Sequence, residues 1–138
     1  MLVRLASVRS LLVGNTLSLL ILLQACAVNP ATGERELSFV SEAQEIQMGQ
    51  QADPAVTAQF GGLYPDEELQ SYVTELGMAV AQVSERPDLP WSFKLVDHEL
   101  INAFALPGGY IYITRGILAN MNSEAELVGV LAHEVGHV

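Results

Sequence analysis

The stretch that most constrains the fold is an apolar helical segment near the end of the sequence, which also carries two histidines and a glutamate. Ser123 precedes the segment and Glu126 follows three residues later, at the capping-box spacing that starts a helix. Apolar side chains cover much of the remaining helix surface: Leu127, Val128, Val130, Leu131 and Val135. A helix that is apolar over most of its surface has to be buried, so the sequence predicts a domain packed around it.

His133 and His137 lie four residues apart, which places both imidazoles on one helix face, about 6 Å apart at the base. Two imidazole nitrogens can then bind one zinc ion at about 2.0–2.1 Å. Glu134 lies about 100° further around the axis, where it can act as a general base towards a metal-bound water. The pattern predicts the zinc helix of a peptidase. The alternative is a pair of satisfied core histidines beside an exposed glutamate.

A catalytic zinc needs three protein ligands and one open position, and this helix supplies two ligands. His98 is the only other histidine, and we interpret it, with its neighbours Asp97 and Glu99, as an ordinary loop residue. The sequence stops at Val138 without a helix-stop signal. We therefore expect a domain that is incomplete at its C-terminus, with the third ligand absent and residues 27–138 inactive alone.

Residues 1–25 predict a secretory signal peptide, because two arginines and no acid precede an apolar run from Leu11 to Leu23. This run of 13 residues is shorter than the roughly 20 that span a membrane. Leu23-Gln24-Ala25-Cys26 resembles a bacterial lipobox, in which Cys26 is lipidated and anchors the chain through several acyl chains. The alternative is an ordinary signal peptide with an incidental cysteine.

The residue after Cys26 indicates where the protein is located, and the net charge indicates which partners it can bind. Ala27, where some lipoproteins have aspartate, resembles the outer-membrane sorting class of Gram-negative bacteria, which predicts a membrane-anchored protein facing the periplasm. The formal net charge is -10, and removing residues 1–25 leaves four basic against 16 acidic residues. Such a domain lacks the clustered Lys and Arg that phosphates require, so no nucleic-acid partner is expected.

The pattern predicts a lipidated tether or loop over 26–40, followed by a domain over 41–138 that includes the zinc helix. One helix begins at Ser41 and ends near Asp53-Pro54, before a break at Gly61-Gly62. A second begins at Asp66 and is ended by Pro87 and Pro90. Its predicted buried face consists of Leu69, Tyr72, Val73, Leu76, Val80 and Val83.

The remaining segments predict a small sheet. Alternating residues indicate a strand over Trp91 to Asp97, and turn residues Pro107-Gly108-Gly109 join two further strands, Asn102 to Leu106 and Tyr110 to Thr114. Thr114 is expected to cap a short helix through Met121. The predicted fold class is α+β, mainly helical with a small sheet beside the zinc helix.

Three segments together resemble peptidase family M48, which contains the CAAX prenyl endopeptidases and bacterial periplasmic quality-control proteases: Asn102 to Gly116, Ser123 to Leu127 and His133 to His137. Asn29 to Gly33 and Ser41 to Glu45 resemble its bacterial lipoprotein branch. The resemblance covers roughly residues 28–138.

The resemblance implies a gluzincin with a zincin-like fold and one Zn²⁺ per complete domain. It implies that His133 and His137 bind the metal, that Glu134 is the general base, and that the third ligand is a glutamate on a later helix. Asn102, Ala103 and Phe104 would bind a polypeptide substrate as an added strand, or alternatively serve only strand and core packing.

The expected function is a zinc endopeptidase for protein quality control in the cell envelope. The alternatives are a chaperone-like or assembly module that binds envelope client proteins, or an inactive fragment.

Overall fold

The computed structural model describes residues 26–28, 35–37 and 40–138. The predicted signal peptide lies outside the described residues. The chain divides after Ser41 into two compact units, 1–41 and 42–138. None of the helices in the described part of the chain is long and apolar enough to cross a membrane.

The first unit contains a short antiparallel pair of strands, β1 (Cys26–Val28) and β2 (Arg35–Leu37), with Cys26 opposite Leu37. The sequence analysis predicted a loop or tether here. The difference arises because pairing of Cys26–Val28 with Arg35–Leu37 satisfies backbone groups that a loop would leave to solvent. The predicted lipidation of Cys26 remains a prediction.

The second unit contains a three-stranded sheet of β3 (Ser92–Val96), β4 (Ala103–Leu106) and β5 (Tyr110–Thr114). The order is β3-β5-β4, with β5 parallel to β3 and antiparallel to β4. The predicted turn between β4 and β5 is present, and Gly108 and Gly109 have φ values of 80° and 94°. Such positive values favour glycine, which explains why two glycines stand there.

Four helices accompany the sheet: α1 (Glu42–Gln59), α2 (Glu67–Ala81), α3 (Arg115–Leu118) and α4 (Glu124–Val135). The helix starts predicted at Asp66, Thr114 and Ser123 are confirmed, since each side chain accepts a hydrogen bond from a backbone N–H three residues later. Helix α3, however, ends at Leu118 and not at the predicted Met121. With its helices and small sheet, the unit has the α+β character that the sequence predicts.

The core lies between the sheet and helices α2 and α4. It is formed by buried apolar side chains from all three elements: Val73, Phe93, Leu95, Ile111, Ile113, Leu127, Leu131 and Val135. Each such side chain contributes about 1.5–3 kcal/mol when it is removed from water. The sheet therefore serves as the surface against which α4 is held.

Helix α1 does not end at Asp53-Pro54 as predicted, but continues through Pro54 to Gln59. A proline inside a helix removes one backbone hydrogen bond and crowds the preceding turn. Contacts with the rest of the unit on the N-terminal side of Pro54 offset that cost. Gly49 approaches the Pro107 carbonyl so closely that any side chain would collide, and Asp53 bonds to the sheet.

Helix α2 also differs from its prediction. It ends at Ala81, well before Pro87, and Val83 beyond it is 85 % exposed. Tyr72 was predicted to be buried and is 37 % exposed. The buried positions include Gly77 instead, where the Phe93 ring lies directly over the backbone. Hydrophobic periodicity misses such a contact, because a glycine carries no apolar side chain.

One polar group links α1 to the sheet. The Asp53 carboxylate accepts hydrogen bonds from the Lys94 ammonium (2.6 Å to Oδ2) and the Tyr112 hydroxyl (2.6 Å to Oδ1). Thr57 donates a longer bond of 3.3 Å. Burial opposes ionisation of Asp53, but the bonds from Lys94 and Tyr112 outweigh it and lower its pKa. Burial together with Asp53 raises the pKa of Tyr112.

We expect Asp53→Asn to lower the free energy of unfolding by about 1–3 kcal/mol at pH 7, since it leaves Lys94 without its carboxylate. Because the folded pKa of Asp53 is depressed, its contribution is complete above the unfolded pKa and is lost as pH falls through the folded pKa. Urea unfolding at several pH values measures this difference.

Asp97→Asn is the matched control, because Asp97 pairs with Arg115 at the surface, where both side chains are at least 40 % exposed. Its effect should stay below about 1 kcal/mol. An Asp53→Asn cost that is equally small, or that persists unchanged at acidic pH, would contradict the account of this ion pair.

Candidate active site

Helix α4 presents two chemically different faces. Leu127, Leu131 and Val135 recur every four residues and are buried in the core. His133 lies on the opposite side, and His137 follows in the turn just after α4; both are exposed. The two faces are about 200° apart, because Leu131 and His133 are separated by two residues at about 100° each. Packing of the apolar face therefore directs both imidazoles away from the core.

The two histidine side chains converge. Their Nε2 atoms lie 3.0 Å apart, and their ring centroids are 4.6 Å apart. Two nitrogens bound to one tetrahedral zinc at 2.0–2.1 Å are separated by about 3.3 Å. A small opening of the pair therefore accommodates the ion, and the residues present fit two positions of a zinc site.

Glu134 lies between the two faces of α4. It is only 8 % exposed, and it lines the same cleft as His133. Its carboxylate makes no side-chain hydrogen bond or ion pair with any other residue in 40–138. A carboxylate with no partner among these residues is free to accept a proton from a water in the cleft.

A third metal ligand does not join the pair within the described part of the chain, where no group of three His, Cys, Asp or Glu side chains converges. His98 has a packing role: its ring meets Phe60 edge to face, and its Nδ1 accepts the Leu100 N–H at 3.1 Å. These contacts agree with its interpretation as a loop residue.

The cleft beside the histidines has a volume of about 530 Å³. One wall is α4, and the other is formed by the chain entering β4 together with α3. The residues that line it are Ile101, Asn102, Ala103, Ile117, Glu126, Gly129, Val130, His133 and Glu134. Glu134 thus lies in a cleft with a substantially apolar lining.

The three predicted substrate-binding residues divide between the two faces of the sheet. Asn102 and Ala103 line the cleft. Phe104 instead stacks on Tyr112 and Phe60, at centroid distances of 4.8 Å and 4.7 Å. Its side chain is therefore part of the packing beneath α1, and only its main chain remains for contact with a substrate.

Sequence reasoning missed three apolar residues of the cleft. Val130 lies three residues before His133, so helix periodicity alone places it on the ligand side. Ile101 and Ile117 come from two other segments, and no local pattern brings them to α4. Only the sheet register and the turn into α3 do so.

Comparison with known proteins agrees with this geometry. A model of peptidase family M48 matches residues 66–138, just over half of the chain. This match includes α2, the sheet and the whole of α4. The chain belongs to peptidase family M48, and so to a family of metallopeptidases.

Two relatives illustrate the similarity. The beta-barrel assembly-enhancing protease of Escherichia coli K12 is 32% identical over 112 residues, which are 79% of this chain and 22% of that protein. The mitochondrial metalloendopeptidase OMA1 of Schizosaccharomyces pombe is 33% identical over 114 residues, 78% of this chain and 33% of that protein. The chain thus spans a fifth to a third of the length of these relatives.

We expect residues 27–138 to bind zinc weakly through His133 and His137, and to cleave casein negligibly. His137→Gln should weaken zinc binding by at least about tenfold. Even the loss of a residue that only hydrogen-bonds to a metal ligand lowers metal affinity about 10–100-fold. Competition with a chromophoric chelator measures the affinity. His98→Gln is the control and should leave it unchanged. Equal losses in both variants, or robust chelator-sensitive cleavage of casein, would contradict this two-ligand site.

Proposed function

We propose that this chain carries the proton-transfer and metal-binding helix of a zinc-dependent endopeptidase with a zincin-like fold. The observation that carries the proposal is the convergence of His133 and His137, 3.0 Å apart at Nε2, beside the shielded carboxylate of Glu134. Membership of the M48 family supports it. The cofactor is proposed to be one Zn²⁺ per complete domain.

When bound, zinc would acidify a water molecule and polarise the substrate carbonyl. His133 and His137 would hold the ion through their Nε2 atoms. Glu134 accepts a proton from the attacking water and later donates it to the amine of the departing peptide. One carboxylate performs both transfers because it lies beside the first histidine without occupying a ligand position.

A catalytic zinc site requires a third protein ligand, and the two histidines leave that position unfilled. We expect a glutamate from a later helix, as the family resemblance implies. Without it the ion is held by two nitrogens only, so we expect the residues described here to be inactive by themselves.

The substrate class is proposed to be polypeptides. Within the described sheet, β4 is an edge strand, because it pairs with β5 on one side only. An extended peptide can add to such an edge through main-chain hydrogen bonds, which tolerate many sequences. Asn102 and Ala103 lie where that edge enters the cleft, so an added strand would pass close to His133.

The biological role is proposed to be quality control of cell-envelope proteins. The name of the Escherichia coli relative, a beta-barrel assembly-enhancing protease, supports a role in the envelope. The same name favours a second candidate, an assembly or chaperone-like module that binds client strands without cutting them. Both roles use the β4 edge, and they differ only in whether Glu134 has to act.

Glu134→Gln in the full-length, zinc-loaded protein separates the two roles. We expect this variant to lose at least about 10²-fold in kcat, because general acid–base catalysis contributes about 10²–10⁴-fold, while zinc content stays unchanged. Cleavage of an unfolded outer-membrane protein is the assay, with complementation of a deletion strain as the biological readout.

Glu126→Gln is the matched control. Glu126 lines the same cleft two turns earlier, and its side chain accepts the Asn122 N–H, a bond that glutamine can also accept. This variant should keep full activity. If Glu134→Gln is proteolytically dead yet complements fully, the binding role replaces the endopeptidase as the function.

We further propose that the mature protein is anchored by lipid at Cys26 and faces the periplasm from the outer membrane. The support comes from the sequence alone: the basic start, the apolar run, the lipobox-like Leu23-Gln24-Ala25-Cys26 and the absence of aspartate at Ala27. A lipid with two or more acyl chains gives stable membrane attachment.

Cys26→Ser should move the protein from the membrane fraction to the soluble periplasmic fraction and abolish labelling by radioactive palmitate. Ala27→Asp is the companion variant: it should retain the label while moving the protein from the outer to the inner membrane. Unchanged labelling of Cys26→Ser would rule out lipidation at this residue, and an unchanged distribution of Ala27→Asp would rule out the proposed sorting.

A further inference from the structure

The wall of the cleft opposite α4 begins in an irregular segment. Residues 97–102 connect β3 to β4 without regular secondary structure. Ile101 and Asn102 from this segment line the cleft, although Leu100 and Ile101 are more than half exposed. Apolar burial therefore does little to hold the segment in place, and polar contacts have to define its position.

Several of those contacts involve one buried side chain. Thr114, at the end of β5, is 0 % exposed. Its Oγ1 lies 2.5 Å from the Leu100 carbonyl oxygen and 2.8 Å from that of Asn102. It also accepts the Asn102 N–H at 3.2 Å and the Ile117 N–H at 3.3 Å.

In this geometry Thr114 makes several contacts at once. Its backbone N–H bonds to the Asn102 carbonyl, as expected for the next rung of the β4–β5 ladder. The Asn102 N–H, however, donates to the Thr114 hydroxyl, because the backbone of Thr114 turns into α3 at this point. The same hydroxyl caps α3 through Ile117.

The Thr114 hydroxyl also donates a hydrogen bond to the Leu100 carbonyl. No other hydrogen bond reaches the Leu100 carbonyl from the described residues, whereas the Asn102 carbonyl keeps the Thr114 N–H. Next to this contact, Gly116 donates its N–H to the His98 carbonyl at 3.1 Å. A side chain at Gly116 would collide with the Glu99 and Leu100 carbonyls, so the segment and the β5–α3 junction are packed backbone to backbone.

We propose that Thr114 is a positioning residue of the active site, whose hydroxyl sets the backbone of Leu100 to Asn102 and thereby the cleft wall that receives substrate. This inference rests on the proposed function. Thr114 touches neither the metal ligands nor Glu134. Removing its hydroxyl should therefore weaken substrate binding and leave the chemical step intact.

Thr114→Val in the full-length, zinc-loaded protein tests the proposal, because valine keeps the branched shape and lacks the hydroxyl. We expect KM for a peptide substrate to rise at least about fivefold with kcat within about twofold of wild type, which is the signature of lost uniform binding. Thr114→Ser retains the hydroxyl and should restore KM. Hydrogen exchange of the Asn102 amide should accelerate in the valine variant only.

Thr74→Val is the matched control. The Thr74 hydroxyl donates to the Gln70 carbonyl at 2.9 Å on α2, and Thr74 does not line the cleft. It should leave KM unchanged. If Thr114→Val does not fold, Thr114→Cys, with its weaker hydrogen bonds, should give an intermediate KM.

The proposal is overturned if Thr114→Val keeps the wild-type KM, if Thr74→Val raises KM equally, or if serine fails to restore it. Wild-type protein without zinc-dependent cleavage would overturn the proposed function instead. Exchange of the Asn102 amide then still decides the positioning role, because that measurement needs no catalysis.

Discussion

The geometry of the site depends on how α4 is buried. Leu127, Leu131 and Val135 form an apolar stripe that packs against α2 and the sheet. At about 1.5–3 kcal/mol for each buried side chain, this stripe contributes far more than any single surface contact of the helix. Rotation of α4 by two residues would expose the stripe and turn His133 towards the core. The direction of the two proposed metal ligands therefore follows from hydrophobic packing.

The opposite wall of the cleft is held by different forces. The apolar side chains of Leu100 and Ile101 are largely in water. The Thr114 hydroxyl, which donates to the Leu100 carbonyl and accepts the Asn102 N–H, therefore determines where this backbone runs. On the far face of the sheet, Asp53 ties α1 to Lys94 and Tyr112. Polar side chains that are at least three-quarters buried thus connect elements whose positions the apolar core does not fix. Each such group has partners, as buried polar groups require.

Local patterns predicted much of this arrangement. The helix caps at Asp66, Thr114 and Ser123 follow from side chains that satisfy the first free N–H groups, and the turn at Gly108-Gly109 follows from glycine's access to positive φ. The face of His133 and His137 follows from helical periodicity. All these features are set by residues within a few positions of one another.

The features that sequence analysis missed depend on contacts between distant segments. Pro54 lies inside α1 because Asp53 is held by Lys94, 41 residues later. Phe104 turns away from the cleft because Phe60 and Tyr112 receive its ring. The sequence predicted only the capping role of the Thr114 hydroxyl. Its bonds to Leu100 and Asn102 form only because the chain entering β4 pairs with the end of β5.

Different side chains of the α4 segment serve the core and the candidate site. The core contacts of the helix use neither of the proposed metal ligands, as His133 and His137 are exposed and absent from the core cluster. Metal affinity and catalysis can therefore change through the exposed face, while the apolar stripe keeps the helix in place. Small metal-dependent domains behave differently, because in them the binding energy of zinc is the folding energy. Here Glu134 is held beside the cleft by packing of its own helix, which is the preorganisation that its proposed role as general base requires.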